Sequence, residues 1–331
     1  MAKSTDWAYS LTNAEQDEFL DATRAARRAQ GDIGDITQDD FPLPTFASKL
    51  AEIRREVVHG RGFVLLRNLP VEGLAFADSA AMYWGLGAYL GSARSQNNRG
   101  HLLGHVVDLG DAFDNKSQRG YLTNRHLKYH SDSVDIVSLM CLRKAKSGGL
   151  SSIVSSYTIH NEMWRRRPDL AKVLYGPVGR DRRDEIPDGK GAWYELPVFN
   201  YLEGRLSINY LRQHIETASR HADAPPMSDA LDEALTMLLD LANDPELYLQ
   251  MSFEPGDVQI IHNHQILHNR TAYEDWDDPD KRRYLLRLWL SPPDGITLPD
   301  AFAERYGSVT PGNRGGVVVS GTQPHVPLEA M

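Results

Sequence analysis

The chain has 331 residues, 41% of them apolar and 24% charged, and a formal net charge of −9. That is the composition of a globular protein with a sizeable core, and its charge argues against nucleic acid or anionic membranes as partners while leaving room for a small anion in a locally basic cleft. No apolar run approaches the roughly 18 residues of a membrane span, the first ten residues lack a signal peptide's apolar centre, and Cys141 is the only cysteine. Internal disulfides and cysteine-rich zinc sites are thereby excluded, and the cytoplasm is the expected location.

Thr12 or Asn13 can cap a helix over residues 14–28, with Glu15 and Gln16 in its first turn. Residues 31–44 are rich in turn formers and read as a connector. Phe46, Leu50, Ile53 and Val57 lie near helical spacing and predict a second helix over 46–58, stopped by Gly60 and Gly62. Residues 63–67 form a short buried strand. A third helix over 75–90 should bury Met82, Trp84, Leu86 and Leu90.

Short strands dominate from Gly100 onward, at 101–108, 136–142, 152–155, 198–201 and 205–210, with helices at 159–174 and 229–243. Glu203-Gly204 suggests a hairpin turn, and Glu254-Pro255-Gly256-Asp257 a turn that launches a strand over 258–261. The tail after Tyr306 carries Gly312, Gly315, Gly316 and Gly321 and reads as a segment extended over the surface or partly mobile. No repeat or low-complexity linker divides the chain. We expect one catalytic domain over 1–331, with a helical part (1–60) packed on the core and a Gly-rich tail (307–331). Dispersed strands with helices inserted between them favour a mainly β sandwich or jelly roll over a parallel α/β sheet.

Two patterns carry chemistry. In the apolar run 284–290, strand parity puts Arg283, Leu285, Arg287 and Trp289 on one face and Tyr284, Leu286, Leu288 and Leu290 on the other. Two guanidinium groups on one side of a core strand are costly unless anions meet them. The other pattern is His130-x-Asp132. On an extended strand these side chains point the same way, about 7 Å apart, and can take adjacent positions on one metal ion. A distant histidine would complete two imidazoles and one carboxylate, a set that suits non-haem Fe(II). With 12 histidines in the chain such a pair also arises by chance, as a surface loop pairing. The third ligand must come from His262, His264 or His268. His264 and His268 are four apart, as on a zinc-binding helix, but no Glu follows His264, and the β-branched flank favours a strand leading into a loop. Spacing alone leaves the three open.

The ordered set His130-x-Asp132, Ser147-Gly148-Gly149-Leu150-Ser151, Asn263-x4-His268 and Arg282-Arg283-x3-Arg287 resembles the taurine dioxygenase / 2,4-dichlorophenoxyacetate dioxygenase (TauD/TfdA) family. These are Fe(II)- and 2-oxoglutarate-dependent oxygenases. The likeness extends to Gly62-Phe63-Val64-Leu65-Leu66-Arg67-Asn68-Leu69-Pro70 and to the helix ending Gly87-Ala88-Tyr89-Leu90-Gly91. It implies a double-stranded β-helix (a cupin-like jelly roll) with inserted and flanking helices, and iron held by His130, Asp132 and His268. It also implies 2-oxoglutarate bound through Arg283, whose planar fork suits a carboxylate. Ser151 falls where the family often has a threonine that hydrogen-bonds the same co-substrate. Arg287 and His126 fall on the substrate side.

The implied reaction consumes 2-oxoglutarate and O2, hydroxylates a small carboxylate or sulfonate, and releases succinate and CO2. Halogenating relatives lack the carboxylate ligand; Asp132 is present here. A dimer or tetramer would be ordinary for the family. Arg282 is expected to pair with an acid among Glu274, Asp275, Asp277, Asp278 and Asp280, and Arg287 has such pairing as an alternative. His262 and His264 are expected to be structural or pocket-lining, and Cys141 to be core. The competing classes are a metal hydrolase on the same centre and a non-catalytic, cupin-like binder of small acids. Arg283 and Ser151 beside the three ligands disfavour both. A quaternary ammonium substrate would need an aromatic cage, for which Tyr129, Tyr157, Trp193 and Tyr194 are candidates.

Overall fold

The computed structural model describes residues 5–110, 120–183, 185–317 and 319–330. Two sheets are built from β1 (Ala8–Ser10), β2 (Phe63–Arg67), β3 (Ser92–Ala93), β4 (Leu103–Val106), β5 (Leu127–His130), β6 (Ile136–Arg143), β7 (Ser151–Ser155), β8 (Tyr248–Met251), β9 (Val258–His262), β10 (Ile266–Arg270) and β11 (Tyr284–Ser291). The large sheet runs β1-β2-β9-β6-β11-β3, with β4 also on β11; the small sheet runs β8-β7-β10-β5. Apart from the parallel β1–β2 pair, every neighbour is antiparallel.

Side-chain alternation sorts the apolar residues into three layers. Between the sheets lie Phe63, Leu65, Val137, Cys141, Ile153, Met251, Ile261, Ile266, Leu285 and Trp289. On the outer face of the large sheet, Leu286, Leu288 and Leu290 of β11 meet helices α1 (Asn13–Ala29), α2 (Phe46–His59) and α3 (Phe76–Leu90). The expected parity of β11 is therefore the observed one. α1 begins with a capping box in which Thr12 and Glu15 satisfy each other's backbone N–H groups, and it buries Phe19, Ala22, Thr23 and Ala26 at helical spacing. Gly87 lets α3 lie directly on β11, since a Cβ there would stand 2.6 Å from Leu288.

The outer face of the small sheet is covered by α4 (Ser156–Arg166), α5 (Pro168–Val173), α6 (Arg212–Ala218) and α7 (Asp229–Ala242), which bury Tyr129, Val154 and Leu267. The single helix expected over 159–174 is two, because Pro168 has no N–H to continue α4 and instead starts α5. Residues 203 and 204, at φ of 50° and 78°, form the tight hairpin turn read from Glu203-Gly204. The C-terminal tail departs from the surface segment expected of it: Arg314 and Val317 are buried, and His325 bridges to His101. Among the described residues no helix is long and apolar enough to cross a membrane.

Candidate metal centre and co-substrate seat

Sheet register assembles the site. His268 on β10 lies opposite His130 on β5, so both imidazoles project from the same face, into the space between the sheets. One step along β10, Arg270 lies opposite Ser151 of β7 on that same face. Asp132 sits just past β5, on the segment that crosses from the small sheet to β6 of the large one. Nitrogen or oxygen atoms of His130, Asp132 and His268 all come within 4.8 Å of one another. His130 Nε2 is 3.7 Å from Asp132 Oδ1, and His268 Nε2 is 3.9 Å from Asp132 Oδ2. Of the three histidines that spacing left open, the fold brings His268 to the pair. His262 and His264 are fully buried elsewhere, His264 donating to Asp135 at 2.9 Å.

The protonation states suit a cation. His130 Nδ1 donates to the Lys128 carbonyl at 2.8 Å, leaving Nε2 with its lone pair toward Asp132. Burial pushes His268 down to about 3, aided by His130 and opposed by Asp132, so its ring is neutral. Burial works to raise the Asp132 carboxyl, but Arg287, the two histidines and the Trp289 indole N–H outweigh it and hold it below the ordinary range. Two imidazoles and one carboxylate form the donor set that non-haem Fe(II) takes.

The loop carrying Asp132 is held from several directions. Asn263 Oδ1 accepts from the Asp132 N–H at 2.8 Å, while its Nδ2 donates to the Asp132 and Val134 carbonyls. Ser131 exchanges hydrogen bonds with the backbone of Tyr210. Asn263 thus explains its place in the Asn263-x4-His268 spacing: the turn from β9 into β10 supplies the clamp, and the strand after it supplies the third member of the cluster.

Beyond the triad lies a cationic seat. Arg283 and Arg270 are 4% and 5% exposed, and each guanidinium sits 4.9 Å from the centre of the Tyr273 ring. Arg283 Nη1 and Arg270 Nε and Nη1 have no hydrogen-bond partner among the described residues. Arg270 spends Nη2 on the Thr123 and Arg125 carbonyls, at 2.6 and 2.5 Å. Burial, together with the neighbouring Arg283, pulls Arg270 down to about 10, still charged at neutral pH. Two buried guanidinium groups without a carboxylate are expensive, and a carboxylate ligand is the group that would relieve both. Gly149, at φ 66°, makes room: a Cβ there would stand 3.1 Å from Arg283 Nε. Ser151 is on the inner face beside Arg270, with its hydroxyl on Gln259 at 3.2 Å.

Other expected site residues fare differently. Arg287 lies between the Tyr121 and Trp289 rings, donates from Nε to Gln96 Oε1 at 2.7 Å and reaches Asp132 Oδ2 at 3.5 Å. It pairs with none of the five acids at 274–280 that were its expected alternative; the carboxylate it reaches is Asp132 of the metal set. His126 is exposed on the loop before β5, with no hydrogen bond or ring contact among the described residues. Arg282 donates to the Trp276 carbonyl rather than to any of the five nearby acids. The candidate aromatic cage does not assemble: Tyr129 and Tyr157 belong to the outer layer under α4–α7, and Tyr194 packs in another layer under Arg182. Cys141 is buried between the sheets. Arg270 and Tyr273 were not anticipated, although the parity argument used on β11 applies equally to His268 and Arg270 two residues apart on β10.

A jelly roll holding two histidines and a carboxylate at its mouth is the architecture of non-haem iron oxygenases. A profile described as "Taurine catabolism dioxygenase TauD, TfdA family" matches residues 25–289. The FR-33289 synthase of Streptomyces rubellomurinus (strain ATCC 31215) is 32% identical over 311 residues, covering 92% of this chain and 91% of that protein. Among solved structures, asparagine oxygenase in complex with Fe(II), 2S,3S-3-hydroxyasparagine and succinate superposes with a TM-score of 0.68 at 18% identity, covering 86% of this chain and 93% of that one. The non-heme iron oxygenase OrfP in complex with Fe and alpha-ketoglutaric acid gives 0.63 at 16%, covering 86% and 93%. The chain belongs to the TauD/TfdA family and is an Fe(II)- and 2-oxoglutarate-dependent dioxygenase.

Proposed function

We propose that His130, Asp132 and His268 hold the Fe(II) and that 2-oxoglutarate places its distal carboxylate between Arg283 and Arg270, with the Ser151 hydroxyl alongside. The single observation that carries this reading is a pair of buried guanidinium groups with unpartnered nitrogens in the same inter-sheet space as a converged His/Asp/His set. Bound iron and 2-oxoglutarate supply the oxidant, as oxidative decarboxylation of the co-substrate to succinate and CO2 activates O2. The protein's own residues orient and shield. Asn263 fixes the Asp132 backbone, the Lys128 carbonyl fixes the His130 tautomer, and the inter-sheet apolar layer keeps water from the centre.

The prime substrate in this reading is a small carboxylate or sulfonate, and the outcome is hydroxylation. The hydroxylated amino acid named with asparagine oxygenase supports a substrate of that size and charge. Arg287 is its anchor: beyond Gln96 and Asp132 it has no hydrogen-bond partner among the described residues, and it flanks the metal set. His126, exposed on the loop before β5, is assigned to the substrate side on the family resemblance alone. A reducing compartment that keeps iron ferrous suits the centre, and the cytoplasm is the proposed setting.

The test is anaerobic reconstitution with Fe(II) and 2-oxoglutarate, followed by O2 and a panel of small carboxylates, sulfonates and amino acids. Succinate release above the uncoupled background, with a product 16 mass units heavier as expected for one inserted oxygen atom (about 16 by elementary mass balance), supports the reading. Product formation without O2 would make the centre hydrolytic and overturn it.

A further inference from the structure

The segment just after the metal ligand Asp132 is fastened by a part of the chain that lies beyond residue 289, where the family match ends. Asp135 is completely buried and accepts from Arg314 Nε at 2.9 and 3.0 Å, from Arg314 Nη2 at 2.8 Å, from His264 and from Ser291 Oγ at 3.0 Å. Arg314 is also buried, and its other bonds go to the Val309 and Ile296 carbonyls. One residue on, Gly315 packs so closely that a Cβ would stand 3.0 Å from the Ser133 carbonyl oxygen and the Val134 Cα. Gly316 N donates to that same Ser133 carbonyl at 2.7 Å, and Arg305 Nε donates to the Ser133 hydroxyl at 2.9 Å. Val317 N then donates to the Ser95 carbonyl at 2.8 Å. Ser95 adjoins Gln96, the residue that holds Arg287 against Asp132.

The strap 305–317 therefore grips both sides of the carboxylate ligand. On one side it fixes Ser133, the next residue in the chain; on the other it fixes the backbone beside Gln96. A strap needed only to cover apolar surface would not seat a buried arginine on Asp135, three residues after Asp132, since apolar side chains do that at lower desolvation cost.

We propose that Arg314, with Arg305 and the Gly315-Gly316 turn, is a positioning device for the metal centre: it sets where the Asp132 carboxylate stands and thereby the affinity for Fe(II). This rests on the assignment of His130, Asp132 and His268 as the metal ligands.

The experiment measures Fe(II) binding anaerobically, and Co(II) binding by its visible spectrum, in the full chain and in Arg314→Gln, Arg314→Lys and Ser133→Ala. Leu50→Ala, in the helical layer away from the centre, controls for general loss of stability. In folded Arg314→Gln, metal affinity should fall at least tenfold and the Co(II) spectrum should change. Ser133→Ala, which removes only the Arg305 acceptor, should lose affinity severalfold. Arg314→Lys should recover part of the loss, and Leu50→Ala should bind metal like the unaltered protein while melting earlier. Should Arg314→Gln fail to fold, Ser133→Ala decides. Unchanged affinity and spectrum in the folded strap variants, or equal weakening in Leu50→Ala, overturns the proposal. An unaltered protein that binds no metal would instead overturn the ligand assignment itself.

Discussion

Two pairs of buried arginines flank the metal centre, and they are provided for in opposite ways. Behind the Asp132 loop, Arg314 meets Asp135 and Arg305 meets Glu185 and Ser133, so positive charge is matched by the protein itself. At the other end, Arg270 and Arg283 share a tyrosine ring, keep unpartnered nitrogens and face no carboxylate at ion-pair distance among the described residues. A chain that satisfies one pair so completely has the means to satisfy the other. In the proposed function the first pair is framework and the second a seat for a ligand that arrives with its own negative charge.

Substitutions test that contrast directly. The largest expected effect is on stability: Arg314→Met leaves Asp135 buried with only His264 and Ser291 as partners and no guanidinium to balance it, and should cost about 3–5 kcal/mol in denaturant unfolding of the apoprotein. A loss below about 1 kcal/mol would show that Asp135 is not held as a charge. Next, Arg283→Gln should leave the stability of the apoprotein unchanged or raised, because it removes an unpaired charge. The same change should weaken 2-oxoglutarate binding about 100-fold, close to 3 kcal/mol. Equal affinity measured by calorimetry on the metal-loaded protein would remove Arg283 from the seat. Arg270→Gln should weaken the same ligand about tenfold, and a co-substrate affinity equal to that of the unaltered protein would reduce Arg270 to an anchor for the Thr123 and Arg125 carbonyls. Smallest is Ser151→Ala, expected to raise the apparent KM for 2-oxoglutarate severalfold, about 1 kcal/mol, with kcat little changed.

Much of this was readable residue by residue. Alternation in 283–290 placed Arg283 and Arg287 on one face with Leu285 and Trp289 before any neighbour was known, because strand parity is local; that this face is the inner one came from the fold. His130-x-Asp132 was picked out on the assumption of one extended strand; the strand ends at His130, and it is the segment after it that brings Asp132 to the cluster. Which histidine joined them was not a local question: His262, His264 and His268 differ only in how β9 turns into β10 and which sheet each half enters, and resemblance to a family had to settle it. The tail was misread for the converse reason. Glycines at 312, 315 and 316 have positive φ and look like surface turn formers, whereas their positions follow from Asp135, about 180 residues earlier in the chain. Arg270 could have been found; a charged residue two positions from His268, in a strand otherwise buried, meets the criterion already applied to Arg283.

The route of the ligand-bearing segments has a mechanical consequence. Asp132 lies where the chain leaves β5 of the small sheet for β6 of the large one, and His268 follows the turn by which β9 of the large sheet passes to β10 of the small one. An ion held there would act as a rivet through both leaves of the sandwich at a single corner. Hydrogen exchange should therefore slow around that corner when metal is added, while the far ends of the same strands keep their original rates.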